Sequence, residues 1–298
     1  MRAQRHMVAV LLSAFFIAAG TGTLSAQAPR VINVVAAENF YGNMVQQIGG
    51  DMVKITSVMS DPNMDPHEYE SSIEDAKAVA DADLVIENGG GYDDWMDKLL
   101  SASPKSSRIV LKGFDLAVKK LRDNEHVWYS VDNAQAIAQA VSRSLQRLLP
   151  QKTGEIVKNE RAFQESLGPI RRRMAQISGR YAGTPIGLTE TIFLYQALPL
   201  GFKVLTPFAF QKAVAEGNDP PADAVVEAEN QIRQRRIRIL VYDEQTISPM
   251  TTRALADARA ANVPAVGVTE TMPRGETYQA WMLRQLDEVL SALRSAGS

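Results

Sequence analysis

The stretch "SIEDAKAVADADLVIENGGGYDDWMDKLLSA", residues 72–102, reads as helix, strand, helix. Ser72 followed by Asp75 is a capping pair that opens "IEDAKAVADA" as a helix. "DLVIENG" (83–89) is a short apolar, β-branched run closed by glycines, and "YDDWMDKLLSA" (92–102) has the apolar spacing of a helix face. Outward from it, "VINVVAA" (31–37), "MVKITSVM" (52–59) and "RIVL" (108–111) are further strands with helix-length segments between them. Strand, helix, strand order of this kind predicts a mostly parallel sheet with helices on both faces.

A second set follows after residue 180, with "TPIGLTE", "FKVLTP", "RIRILVYDE" and "VPAVGVTE" as strands and a last helix from about Thr277 to Leu293. The expected fold is therefore α/β, with two Rossmann-like lobes of mostly parallel sheet. Between the sets lie "NAQAIAQAVSRSLQRLLP" and "KTGEIVKNERAFQESLGPIRRRMAQISGR", separated by Pro150. The second reads as a long linking helix, stiff where a Gly/Ser linker would be flexible. Gly168-Pro169 should kink or interrupt it. The boundaries expected are an N-terminal lobe over 29–150, a linking helix over 151–180 and a C-terminal lobe over 181–298.

Residues 1–28 have a basic start with Arg2, Arg5 and His6, an apolar run from Met7 to Ala19, and the small-residue exit Ala26-Gln27-Ala28. That is the pattern of a cleaved secretory signal. Its apolar run is too short to span a bilayer, which takes about 20 residues. The mature chain is expected in the periplasm, beginning near Pro29. Cysteine is absent from all 298 residues, which excludes a disulfide framework, a thiolate metal site and an acylated cysteine as membrane anchor. Removing two arginines and no acids takes the formal charge from −2 to −4, which argues against nucleic acid or an anionic membrane as partner.

In open α/β sheets ligands gather beyond the carboxyl ends of strands. His67 follows the second strand, His126 lies in "RDNEHVWYS" after the fourth, Glu190 ends "IGLTE" and Glu270 ends "AVGVTE". A lone histidine is usually a surface or satisfied core residue, and either glutamate can serve as a helix cap or a first-turn acid. Two imidazoles and two carboxylates converging in a cleft would instead form a divalent-metal site without sulfur. Asp65, Glu68 and Glu125 are candidates to orient the imidazole N–H groups. No HExxH helix, G-x-S-x-G elbow, P-loop or GxGxxG after a strand occurs; "ENGGGYD" is glycine-rich without that spacing. The alternatives are a metal-dependent hydrolase, or a metal-free solute binder or adhesin whose cleft is lined by Trp95, Trp128, Tyr129, Phe208 and Phe210. Core packing is the other use of those aromatics.

"GGDMVKITSVM" with "DPHEYESS", then "ADADLVIENGGGYDDWMDKL", "EHVWYS" before "NA", "ETIFLY", "VYDEQTISPMTTRALA" and "VGVTETM" occur in an order that resembles the substrate-binding proteins of zinc and manganese ABC importers, the TroA-like class. The resemblance implies capture of one divalent metal ion as cargo, not catalysis, and delivery to a permease driven by a cytoplasmic ATPase. A monomer without a membrane anchor is expected. Its first two ligands fall on His67 and His126. The third, histidine in zinc members and glutamate in several manganese members, falls on Glu190. The fourth, usually aspartate, falls on Glu270. The His-rich loop of many zinc members is missing, since residues 119–125 are short and contain no histidine. Carboxylates able to offer four oxygens place manganese slightly ahead of zinc. Pro66 would fix the backbone ahead of His67.

Overall fold

The computed structural model describes residues 30–60 and 69–296. The expected signal segment 1–28, His67, Asp65, Pro66 and Glu68 lie outside the described residues. Two four-stranded sheets carry the chain. The first comprises β1 (Ile32–Glu38), β2 (Val53–Met59), β3 (Leu84–Glu87) and β4 (Ile109–Lys112) in the order β2-β1-β3-β4. The second comprises β5 (Pro185–Leu188), β6 (Lys203–Val204), β7 (Leu240–Asp243) and β8 (Ala265–Val268) in the order β6-β5-β7-β8. All paired strands are parallel, so the two lobes repeat one topology. β1 is central and buried along nearly its whole length because helices cover both faces. β6 is an edge strand of two residues, shorter than "FKVLTP" suggests.

Residues 72–102 fold as read. Helix α2 (Ile73–Asp81) opens on a capping box in which the Ser72 hydroxyl accepts from Asp75 N–H and the Asp75 carboxylate accepts from Ser72 N–H. β3 follows, then α3 (Asp94–Ala102) with Trp95, Met96 and Leu99 turned inward. The turn between them has Gly89, Gly90 and Gly91 at φ of 70°, 69° and 93°, which L side chains adopt only under strain. The Asp93 carboxylate holds this turn by accepting from Asn88 N–H and Gly89 N–H, both at 2.6 Å.

The link is two helices in series. After α5 (Val131–Leu148) and a short turn beginning at Pro150, α6 (Thr153–Ser166) and α7 (Gly168–Tyr181) meet at Leu167. Pro169 has no N–H to give to a carbonyl four residues back, and Leu167 N–H closes a tighter turn on Gln164 O at 3.3 Å. Each helix serves a different lobe. α6 packs on α5 and on α1 (Asn39–Gly49) with Ile156 and Phe163 buried, and α7 packs on α12 (Tyr278–Ser295) with Ile170 and Ile177 buried.

One apolar core runs through both lobes. At its centre Phe40 stacks on Trp128 at 4.8 Å and stands 5.9 Å from Trp281 of α12. Polar ties flank this seam: Tyr278 donates to Trp128 O at 2.6 Å, and Asn39 exchanges two hydrogen bonds with the backbone of Met272. Trp128 and Tyr129 belong to this core, Trp95 and Phe210 are buried in smaller separate clusters, and Phe208 is exposed. Among the described residues no helix is long and apolar enough to cross a membrane.

The glycine turn gives a direct stability test. A Cβ at Gly90 would lie 2.7 Å from the Phe114 ring and would hold a left-handed backbone. Gly90→Ala should cost about 2 kcal/mol or more, the left-handed term alone being roughly 1–2 kcal/mol. Chemical denaturation of the two proteins measures it, and equal midpoints would contradict the packing described.

Candidate metal centre

Both sheets have their topological switch between the central strand and the neighbour on its other side, β1 beside β3 and β5 beside β7. Side chains beyond those carboxyl ends face a common crevice. Glu190 stands two residues after β5, Asp243 ends β7 and Glu270 stands two residues after β8. From the other lobe, the loop after β4 and the short helix α4 (Gly113–Leu116) brings His126, at the head of a single turn, Val127–Tyr129.

His126, Glu190 and Glu270 come together: each offers a ligand atom, and these atoms lie within 4.8 Å of one another. All three are buried, at 0%, 2% and 1% exposure. Neither glutamate caps a helix. Glu190 precedes α8 (Leu194–Ala197), whose cap is Phe193, and α12 is capped by Thr277.

The orientation of His126 follows from its neighbours. Asn124 donates from Nδ2 to Thr191 O at 2.7 Å, which turns Oδ1 toward His126. That oxygen accepts the His126 backbone N–H and lies 3.0 Å from Nδ1. The proton therefore belongs on Nδ1, and the lone pair of Nε2 points at Glu270 Oε1, 3.8 Å away. Asn124 orients this ring, a task for which the sequence offered Glu125 among its candidates. The signal was available two residues before the histidine, but an amide there is read as a turn residue unless its partners are known.

The carboxylates are held from behind by hydroxyls. Tyr92, delivered by the glycine turn, donates to Glu270 Oε2 at 2.7 Å. Thr246 lies 3.2 Å from Glu190 Oε2 and 2.7 Å from Asp243 Oδ2. Tyr92, Thr246 and Asp243 were not found by sequence reasoning: Tyr92 was read only as a helix start and Asp243 only as the end of a strand. His126 Nε2, Glu190 Oε1 and Asp243 Oδ1 are buried with no hydrogen-bond partner. Such atoms cost free energy when nothing pairs with them, and a cation can satisfy a lone pair and carboxylate oxygens together.

Electrostatics point the same way. Burial, with Asp243 and Glu270 nearby, pushes the Glu190 carboxyl well above the usual carboxylate range. Burial and Glu270 push Asp243 up to about 7. Burial alone would lower His126, but its contact with Glu270 and the charges of Glu125 and Asp243 outweigh it and raise its pKa. Every one of these shifts favours the proton-bearing form near neutrality, so an arriving cation competes with protons.

The affinity for a divalent cation should therefore fall by about tenfold or more as pH drops from roughly 7.5 to 5.5, a span that crosses the reference imidazole value. Titration with zinc or manganese at fixed ionic strength measures this. A flat profile would contradict the arrangement.

Comparison with known proteins adds the lineage. The family model for ZnuA, described as zinc-uptake complex component A, periplasmic, matches residues 34–292. The metal ABC transporter substrate-binding lipoprotein ScbA of Streptococcus cristatus is 22% identical, over 98% of this chain and 99% of its own. The manganese ABC transporter substrate-binding lipoprotein PsaA of Streptococcus anginosus is 21% identical, over 93% and 94%. Among solved structures, the periplasmic zinc binding protein TroA from Treponema pallidum superposes with a TM-score of 0.73 at 23% identity, covering 88% of this chain and 99% of that one. The Mn-bound periplasmic metal binding protein from Candidatus Liberibacter asiaticus gives 0.72 at 20% identity, over 89% and 99%. These structures establish the two-lobed fold, and the match over 34–292 carries the conclusion: the chain belongs to the ZnuA family.

Proposed function

We propose that this chain captures one divalent transition metal outside the cytoplasm through His67, His126, Glu190 and Glu270 and hands it to an ABC-type import permease driven by a cytoplasmic ATPase. As a ZnuA-family member it is a substrate-binding component of a metal importer and not an enzyme. The observation that carries the site is the convergence of His126, Glu190 and Glu270, buried, with the Nε2 lone pair and Glu190 Oε1 left without hydrogen-bond partners. The remaining ligand, His67, rests on the "DPHEYESS" resemblance. A division at 29–150, 151–180 and 181–298 is part of this reading, supported by the separate sheets and by α6 and α7 packing on different lobes.

Manganese slightly ahead of zinc is the finer part of the proposal. It is supported by a carboxylate at Glu190 in place of a third imidazole, since oxygen ligands suit the harder ion. Zinc still binds in vitro because it stands above manganese in the Irving–Williams order. Periplasmic location and a monomeric, unanchored state belong to the same reading. The named streptococcal relatives are lipoproteins, whereas these 298 residues contain no cysteine to carry an acyl group.

Calorimetry on the parent and two variants tests this. His126→Ala should lower affinity for both ions by about a hundredfold, near 2.7 kcal/mol, because it removes a ligand and leaves buried carboxylates uncompensated. Glu190→His should raise the zinc-to-manganese affinity ratio by about tenfold, roughly 1.4 kcal/mol. Parent-like binding by folded His126→Ala protein would remove the site, and an unchanged ratio in Glu190→His would return zinc to equal standing.

A further inference from the structure

Glu190 presents its two oxygens unequally. Oε2 lies against the Thr246 hydroxyl at 3.2 Å, while Oε1 is buried without a partner. Thr246 is not a mobile rotor that can step aside. Its backbone N–H and its hydroxyl both reach Asp243 Oδ2, at 2.8 and 2.7 Å. Its carbonyl accepts from the Thr251 hydroxyl at 3.0 Å. Thr251 is itself locked in the capping box with Ser248 that opens α11 (Pro249–Ala260), and Asp243 is the last residue of β7. The hydroxyl facing Glu190 is thus fixed between the end of a strand and the start of a helix, the most rigid support an α/β lobe offers a loop residue.

We propose that Thr246, held by Asp243, is a specificity-determining residue of the ion site: its one hydroxyl proton is shared between Asp243 Oδ2 and Glu190 Oε2, which weakens Oε2 as a ligand and favours binding through Oε1. The inference rests on the cation-capture reading above and concerns the number of oxygens that reading leaves available. A carboxylate binding through one oxygen suits a four-coordinate ion, as zinc prefers, whereas a larger ion that takes six ligands gains from both oxygens. Two opposed influences then set the metal preference. Glutamate at 190 favours manganese by supplying oxygen in place of nitrogen, and Thr246 restrains that preference by drawing on the second oxygen. Asp243 positions Thr246 through Oδ2.

The test is competition against a chelator for manganese and zinc with Thr246→Val and Thr246→Ser. Valine keeps the shape and removes the hydroxyl, releasing Oε2, and the manganese-to-zinc affinity ratio should rise by about fivefold, roughly 1 kcal/mol. Serine keeps the hydroxyl and should keep the parental ratio, a rescue that a purely structural role for the side chain would not produce. A ratio unchanged or lowered in folded Thr246→Val protein that still binds both ions overturns the proposal and leaves cation capture standing. Failure of the parent to bind either ion strikes the underlying reading instead. Should the valine variant not fold, a crystal structure of the zinc-loaded parent decides: Glu190 bound through Oε1 alone, with Thr246 on Oε2, is expected, and both oxygens on the ion overturns it.

Discussion

The constraint on which the rest depends is the burial of like charge. Glu190, Asp243 and Glu270 are each almost inaccessible to water, Asp243 and Glu270 raise the affinity of Glu190 for protons, Glu270 raises that of Asp243, and the basic side chain beside them among the described residues is an imidazole whose lone pair faces a carboxylate. Left to relax, such a group would open to solvent or neutralise itself. It persists because the scaffold beneath does not yield. The Phe40–Trp128–Trp281 seam joins the lobes directly under the site, and α12 ties the C-terminal lobe back to the N-terminal one through Tyr278 and the backbone of Trp128.

That scaffold explains why the polar supports are arranged as they are. Hydroxyls and amides, not further charges, hold the ligands: Asn124 for His126, Tyr92 for Glu270, Thr246 for Glu190. A lysine or arginine in any of these places would compete with the ion for its ligands. Lysine occurs instead at the end of β4, where Lys112 pairs with Glu87 at 2.9 Å and with Asp97 at 2.6 Å. The glycine turn belongs to the same design, because three successive positive-φ residues are needed to swing Tyr92 from the end of β3 across to the other lobe.

Much of the fold was legible in residues 72–102, because capping, apolar spacing and glycine placement are local signals that the tertiary structure had no reason to override. The interruption at Gly168-Pro169 was legible for the same reason. The short edge strand β6 was not, since "FKVLTP" has strand composition and only its unpaired outer side limits it to Lys203–Val204. Of the site, Glu190 and Glu270 could be singled out as acids just past strands. Thr246 could not, because its bond to Glu190 joins segments 56 residues apart, and Asn124 and Asp243, though they act on residues two and three positions away, read as a turn amide and a strand-end acid until their partners are known. His67 stays where the sequence put it, in a motif outside the described residues.

The account stands or falls on whether these buried groups hold an ion. Native mass spectrometry of the purified full-length chain, before and after dialysis against a chelator and then with manganese or zinc restored, reads this directly. We expect one divalent ion per chain, lost to the chelator and regained on addition of either metal. A chain whose mass never includes an ion, under conditions where it remains folded, would contradict the central claim.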